Sequence, residues 1–338
     1  MTTSRNKSTT TYPQQAILEA YREARTRMPN FSIHALAKTM QLSHGHVQAA
    51  RLGSGVTGLA LTPCDMVMRL PSLGALEIST VSSHAHMLSK TEQLQIAGQD
   101  SNNLSLRMLL PHWYWACMSH DEQHKIEIFD RYGRLLHCIS NSPELPLGKG
   151  WQRLEKLAID RPPAFTELVD VVHESTAPKQ RGWDALVAGW RSVTNESEVS
   201  HLLKKHHLRR VDAYKALENR FTQRMSSRCF VSTLERAAKA NSPIRLRIAN
   251  AGAVHQHSGL FGHVGERHQK IEIAGEKAML AIDREAIAET WLVTLPCKEG
   301  VTTRLEAFSK DGRFISGLSE AIHQPMPVST MNAMSVYG

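Results

Sequence analysis

The sequence predicts an α+β protein built from two similar halves. Segments with helical spacing of apolar residues precede strand-like segments twice along the chain, and short stretches of the first half recur in the second in the same order. A chain of 338 residues is long enough for two domains, and its 41% apolar and 21% charged residues are ordinary for a globular protein. We therefore expect a folded chain with a duplicated architecture.

The first half starts with a polar arm, continues with helices and ends with strands. Residues 1–12 are rich in Ser, Thr and Asn and lack an apolar period, which predicts a disordered arm. From residue 14 to about residue 52 the apolar side chains follow a helical spacing that is interrupted at "MPNFS". From "GALEIST" onward the composition favours strands, and "DRYGR" between two strand-like runs predicts a hairpin turn.

Prolines are concentrated between residues 141 and 182, which predicts a connecting region with a short helix around residues 151–159. The domain boundary is expected near residues 175–180, so the predicted domains are residues 13–175 and 176–338. The second half then shows helices from residue 183 to about 241, followed by strands up to "VTTRLEAFSKDGRFIS". Helices followed by strands are thus predicted twice.

Two pairs of segments carry the internal repeat. "LAKTMQLSHGHVQAA" (36–50) and "LLKKHHLRRVDAYKA" (202–216) share Leu, Lys, Leu and Ala at matching positions. "IEIFDRYGRLL" (126–136) resembles "LEAFSKDGRFI" (305–315) in the same way. Because both matches fall in the same order along the chain, duplication is the preferred explanation.

Composition narrows the functional classes. A net charge of +8 and 18 histidines favour anionic partners, which include phosphates, nucleic acid and carboxylate-bearing ligands. The five scattered cysteines have no CxxC spacing, so they predict buried thiols in a reducing cytoplasm. No run is long and apolar enough for a membrane span, no apolar leader segment is visible, and no phosphate loop or nucleophile elbow occurs.

Several segments resemble the HemS/HmuS/ChuS family of cytoplasmic haem-handling proteins. The resemblance is specific in "NAGAVHQHSG" (250–259), "AIAETWLVTLP" (286–296) and "EGVTTRLEAFSKDGRFI" (299–315), and it extends to the helical opening at 21–53 and to "NLSLRMLLPHWYWACMS" (103–119). It implies a duplicated α/β protein in which each half packs helices on a large antiparallel sheet. Haem would lie in a cleft between the halves, held by an axial histidine on a second-half helix and by an arginine of the first-half sheet.

The resemblance also places candidate haem-binding residues. The axial position falls on Ser197, whose hydroxyl is a poor ligand for ferric haem. His201 is a candidate substitute, because four residues along a helix return to nearly the same face. The resemblance implies that Arg210 helps bind haem, and a guanidinium suits a propionate; Arg107 matches the arginine of the first-half sheet.

Two residues depart from the family pattern, and two histidine pairs are weaker candidates for metal binding. Leu295 and Ser319 occupy positions where the family has a lysine and a tyrosine. The pairs His255/His257 and His84/His86 each alternate on a strand, so both members face one side of a sheet. These pairs could bind a metal, but no third ligand is visible, and cross-strand packing or surface exposure is the favoured interpretation.

Three hypotheses follow. The first is a cytoplasmic haem-binding protein of bacterial haem uptake and iron utilisation, which traffics haem or assists its degradation; as an enzyme it would be haem-degrading. Its partners would be a haem importer or a haem-degrading enzyme, and it would be a monomer or homodimer without membrane insertion. The second is a diverged module that has lost haem and binds an acidic partner such as nucleic acid. The third is a carrier of a small metal ion or a porphyrin-like ligand that uses the many histidines.

Overall fold

The computed structural model describes residues 11–95, 103–121, 123–144, 147–166, 183–297 and 300–321. Its helices are α1 (Thr11–Arg27), α2 (Ile33–Thr39), α3 (His44–Ala50), α4 (Pro63–Arg69), α5 (Lys149–Glu155), α6 (Trp183–Ser192), α7 (Glu196–Lys205), α8 (Arg210–Ala216) and α9 (Ser227–Lys239). In the part of the chain so described, none of the helices combines the length and the apolar character needed to cross a bilayer.

The strands confirm the predicted α+β class, because they form large antiparallel sheets. They are β1 (Val56–Leu59), β2 (Leu76–Val81), β3 (Ala85–Thr91), β4 (Leu104–Met108), β5 (Trp115–Ser119), β6 (Lys125–Phe129), β7 (Leu135–Asn141), β8 (Ala158–Ile159), β9 (Thr222–Met225), β10 (Ile244–Ala249), β11 (Ala253–Gly259), β12 (His263–Arg267), β13 (Lys270–Ala274), β14 (Ala278–Asp283), β15 (Glu289–Cys297), β16 (Gly300–Phe308) and β17 (Phe314–Glu320).

The chain divides into two compact units. Among the described residues, unit 1 takes those within Met1–Ile78, Thr91–Gly98 and Met108–Val169, and unit 2 takes those within Ser79–Lys90, Gln99–Arg107 and Asp170–Gly338. The predicted boundary near residues 175–180 lies outside the described residues and stays a prediction. Helix α1 begins at Thr11, inside the arm predicted for residues 1–12, whereas residues 1–10 are outside the described part.

Each unit contains a sheet with the same strand order. In unit 1 the order is β2-β7-β6-β5-β1, with β8 beyond β1; in unit 2 it is β10-β17-β16-β15-β9. The two helices before β1 are α2 and α3, and the two before β9 are α7 and α8, so matching helices lead into matching strands. The predicted "DRYGR" hairpin is confirmed by the pairing of β6 with β7.

Unit 2 contains further strands besides these five. Strand β4 joins its sheet next to β11, and β12, β13, β14 and β3 follow one another in an antiparallel run that is not part of that sheet. Strands β4 and β5 are close in sequence, yet they do not pair, and a short helical turn at Leu110–His112 separates them. The placement of Arg107 in the first-half sheet is therefore wrong, because its strand joins β11.

The repeat is visible in the buried contacts as well as in the sequence. In unit 1, His44 and Gln48 of α3 contact the buried carboxylate of Glu127 on β6, with His44 Nε2 3.0 Å from Oε1. At the matching positions of unit 2, Arg210 and Tyr214 of α8 contact Glu306 on β16, and the tyrosine hydroxyl donates at 2.7 Å. In both units, two residues four positions apart on one helix thus contact the same strand glutamate.

Gly133 and Gly312 close the matching hairpins. Both adopt positive φ angles, 73° and 75°, which a side chain would strain. A Cβ on Gly133 would lie 2.2 Å from the Ser43 hydroxyl oxygen, so the N-terminus of α3 packs directly against this turn. The glycines in "DRYGR" and "SKDGR" therefore serve both turn geometry and helix packing.

Candidate functional site

The candidate site lies in unit 2 around helix α7. Its N-cap residue is Asn195, whose side-chain oxygen accepts from the backbone N–H of Glu198 at 3.1 Å. The Glu198 carboxylate in turn accepts from the backbone N–H of Thr194 at 2.6 Å, which lowers the pKa of Glu198. This reciprocal capping satisfies donors at the helix start and fixes where α7 begins.

The two faces of α7 have different surroundings. Val199, Leu202 and Leu203 are buried in an apolar cluster that also contains Trp190. Ser197 and His201 are exposed, four residues apart, and Lys204 and Lys205 are exposed at the end of the helix. The predicted relation between Ser197 and His201 is consistent with this helix, because positions four apart share a face.

Arg107 reaches this exposed face from strand β4. Its Nη1 donates a hydrogen bond to Ser197 Oγ at 2.8 Å, and both side chains are exposed. The arginine and the axial position of the family pattern, 90 residues apart in the chain, are thereby in direct contact. We call Arg107, Ser197 and His201 the α7–β4 surface.

A buried ion cluster supports the start of α7. Glu196, next to Ser197, forms ion pairs with Arg210, with Arg247 at 2.8 Å and with Arg304 at 2.5 Å. The Glu306 carboxylate forms ion pairs with Arg210 and Arg247 and accepts a hydrogen bond from the Tyr214 hydroxyl. We call these residues the glutamate–arginine cluster: Glu196, Arg210, Tyr214, Arg247, Arg304 and Glu306.

The charges of this cluster do not balance, because its three guanidiniums face two carboxylates. Burial alone would raise the pKa of Glu196, but Arg247, Arg210 and Arg304 hold it far below the ordinary value. Burial and the two glutamates raise the pKa of Tyr214 despite the opposing effect of Arg210, so the phenol stays protonated. The cluster therefore carries a net positive charge behind the α7–β4 surface.

Arg210 is engaged by protein groups. Its guanidinium contacts Glu196, Glu306 at 3.2 Å and the Tyr214 hydroxyl at 3.0 Å, and only 17% of the side chain is exposed. Binding a ligand carboxylate would require some of these bonds to be exchanged, so its predicted role in haem binding stays a prediction. Arg304 is the more accessible member of the cluster, with 23% of its side chain exposed.

The two altered family positions contribute little polarity. Leu295 is buried on β15 in the apolar cluster around Trp190. Ser319 lies on β17, where its hydroxyl donates to the carbonyl of Glu320 at 3.4 Å. A leucine in an apolar cluster and a serine bonded to its own strand bring no cation to the surface.

Buried polar contacts surround the first of the predicted histidine pairs. His255 bonds Thr80 and Ser89, both at 2.9 Å, and His257 lies 3.2 Å from the Ser89 hydroxyl, so both rings occupy one buried face of β11. Burial, with a smaller effect of Lys277, lowers the pKa of His257 to about 4. Both members of this pair are therefore enclosed by protein.

The other strand pair and the helix-end histidines also have local contacts. His86 lies 2.7 Å from the Ser79 hydroxyl, and His84 lies 3.9 Å from Asp283. His206 is the C-cap residue of α7, and its backbone N–H donates to Leu202. These contacts are structural.

Comparisons with known proteins agree with this architecture. The family model of the haemin-degrading HemS/ChuX domain matches residues 207–321. The haemin transport protein HmuS of Yersinia pestis is 24% identical over 316 residues, covering 90% of this chain and 91% of that protein. HemS of Yersinia enterocolitica, also a haemin transport protein, is 24% identical over 322 residues with the same coverages, 90% and 91%. The resemblance to the HemS/HmuS/ChuS family is confirmed.

Solved structures show the same HemS-like fold. Apo-PhuS, a haem-binding protein from Pseudomonas aeruginosa, superposes with a TM-score of 0.85 at 22% identity, covering 96% of this chain and 99% of that chain. ChuS, a haem-degrading enzyme of Escherichia coli O157:H7, gives a TM-score of 0.83 at 19% identity, with coverages of 96% and 99%. These likenesses extend the HemS-like fold to nearly the whole chain.

The glutamate–arginine cluster was missed at the sequence level. Glu306 lies in the repeated segment 305–315, but no local pattern pairs it with an arginine or relates it to Glu196. A signal was available, since Glu127 and Glu306 occupy matching places in the short runs "IEIF" and "LEAF", whose other residues are apolar. A charged residue in such a strand predicts a buried partner.

Proposed function

We propose that this chain is a cytoplasmic haem-binding protein of bacterial haem uptake, which carries haem or assists its degradation, and that it binds haem at the α7–β4 surface. The observation that carries the proposal is the contact between Arg107 and Ser197, since it unites the two positions that the HemS-like pattern assigns to haem. The relatives named as haemin transport proteins support the same role.

The side chains at this surface have the chemical character that a ferric porphyrin requires. His201 offers an exposed imidazole for the iron, whereas the hydroxyl of Ser197 is a weaker donor. Lys204, Lys205 and Arg304 supply cations for the two porphyrin carboxylates, and the net positive charge of the glutamate–arginine cluster acts in the same direction. Any redox chemistry would be supplied by the iron when haem is bound.

Haem binding between Arg107 and α7 would break the hydrogen bond that now joins Arg107 to Ser197. An exposed hydrogen bond of this kind contributes about 0.5–1.5 kcal/mol. A single metal–imidazole bond that changes affinity tenfold is already worth about 1.4 kcal/mol. The bond is therefore weak enough to be exchanged for a ligand.

A haemin titration of the full chain tests the proposal. We expect a Soret shift that saturates at one equivalent of haemin at micromolar concentration. His201→Ala should weaken binding at least ~10-fold and alter the Soret maximum, because an iron ligand is lost. The matched control His263→Ala removes an exposed histidine of β12 and should bind as the wild type does.

A gain-of-function variant makes the test sharper. Ser197→His restores the donor that the family pattern places at this position, so it should tighten haemin binding and produce a low-energy shift of the Soret band. Arg107→Ala should weaken binding without removing the iron ligand. No Soret change in the wild type, together with none in Ser197→His, would refute binding at this surface.

The second candidate function is a HemS-like module that has lost haem and binds an acidic partner. The specific observations are that Ser197 replaces the expected donor and that Arg210 is engaged by Glu196 and Glu306. This candidate predicts no Soret change and a DNA retention that falls steeply between about 50 and 200 mM salt.

A further inference from the structure

Unit 1 contains a cluster of metal-ligating side chains that the proposed haem function does not use. His120 follows strand β5, His124 precedes β6, and Glu155 ends helix α5. One ligand atom from each of them lies within 4.8 Å of the others, and His124 Nε2 is 3.7 Å from Glu155 Oε1. Among the described residues the cluster joins the β5–β6 connection to the end of a helix.

The second histidine is held in place by its neighbours. The backbone N–H of His124 donates to the side-chain oxygen of Asn141 on β7 at 3.0 Å. Its ring packs edge-on against the fully buried indole of Trp151, with centroids 6.1 Å apart, and against the ring of His120 at 4.6 Å. Trp151 and Glu155 lie on the same helix, four residues apart, so the anchor of the ring and the carboxylate share one rigid element.

The spacing matches a divalent transition metal with three protein ligands. With metal–ligand bonds of ~2.0–2.2 Å in a tetrahedral arrangement, ligand atoms are separated by roughly 3.3–3.6 Å. The observed 3.7 Å between His124 and Glu155 is close to that separation. The remaining separations, up to 4.8 Å, close by side-chain rotation, which exposed His120 is free to make.

We propose that His120, His124 and Glu155 form a binding site for one divalent transition metal ion of the zinc class, with solvent completing the coordination. Two imidazoles and one carboxylate are the donor set of many zinc sites that keep an open position. The ion would tie the β5–β6 connection to α5, so its binding should stabilise unit 1 by mass action. The site is independent of the haem proposal, which concerns residues of unit 2.

The test uses the full chain after chelator treatment, with Co²⁺ as a spectroscopic probe and Zn²⁺ as a competitor. We expect a visible Co²⁺ absorption that saturates at one equivalent and is displaced by Zn²⁺. His120→Ala and His124→Ala should each weaken binding by ~10-fold or more, the size that changes around a metal site commonly reach. Glu155→Gln keeps the shape of the side chain and should weaken binding because the anionic donor is lost.

Controls separate this site from other histidines and from misfolding. His263→Ala should titrate like the wild type, and circular dichroism with thermal unfolding in chelator should show that each variant is folded. Addition of Zn²⁺ should raise the melting temperature of the wild type and of His263→Ala, but not that of His120→Ala. Wild-type Co²⁺ spectra in both His120→Ala and His124→Ala, or no saturable signal up to ~100 µM metal, would overturn the proposal.

Discussion

The glutamate–arginine cluster makes a strong prediction for the substitution Glu306→Gln. The Glu306 side chain has no exposed surface, and it receives Arg210, Arg247 and the Tyr214 hydroxyl. The amide has nearly the same volume, but it removes one of the two negative charges that face three guanidiniums and so increases the excess positive charge. Breaking a buried ion pair while leaving its partners in place destabilises a protein by about 3–5 kcal/mol.

The matching substitution in unit 1 should be milder. Glu127 is also buried, and burial tends to raise its pKa, but His44 and Gln48 lower it below the ordinary value. No guanidinium is bonded to Glu127 in the described contacts, so Glu127→Gln should lower the free energy of unfolding by only about 1–3 kcal/mol. The exposed substitution Glu235→Gln on α9 should stay within about 0.5 kcal/mol of the wild type.

Urea unfolding followed by tryptophan fluorescence and far-ultraviolet circular dichroism measures the difference. For a unit of this size, 3–5 kcal/mol corresponds to a melting temperature lower by roughly 6–20 °C. The expected order of destabilisation is Glu306→Gln, then Glu127→Gln, then Glu235→Gln. If Glu306→Gln unfolds at the same urea concentration as Glu235→Gln, the carboxylate does not stabilise unit 2 and the reasoning fails.

Two further predictions concern His257 and Asn195. Since burial lowers the pKa of His257 to about 4 from 6.5, its neutral form contributes stability that is complete above pH 6.5 and is lost as the pH falls toward 4. Wild type should therefore lose about 2 kcal/mol more than His257→Gln between pH 7 and pH 5, measured by urea unfolding; equal losses would contradict the assignment. Asn195→Ala removes the N-cap of α7 and should cost about 0.5–2 kcal/mol in thermal unfolding, whereas Asn195→Asp should retain most of the stability; equal losses would argue against capping.

Local patterns in the sequence predict many elements of this fold. The hairpin at "DRYGR" and the matching "SKDGR" turn depend on neighbouring residues and on Gly133 and Gly312, so they are readable without the tertiary structure. The short strands β1 and β9 were not predicted, since four residues carry little periodicity and their formation depends on partners distant in the chain.

The candidate site was only partly predictable for a related reason. The helical period places Ser197 and His201 on one face of α7, but it does not say what lies opposite. The contact with Arg107 depends on β4 joining β11 instead of its sequence neighbour β5. Likewise, Arg210 binds Glu196 and Glu306, which are 14 and 96 residues away from it in the chain, and no local pattern indicates these pairings.

The amino-acid sequence by itself determined the α+β class, the duplicated order of helices and strands and the family resemblance, because these depend on local periodicity and on matched residues. Only the tertiary structure decided which strand carries Arg107 to Ser197, which carboxylates Arg210 binds, and that His120, His124 and Glu155 meet. The physical reason is that contacts between distant residues are selected by packing and by the pairing of buried charges. Neither effect leaves a periodic trace in the chain.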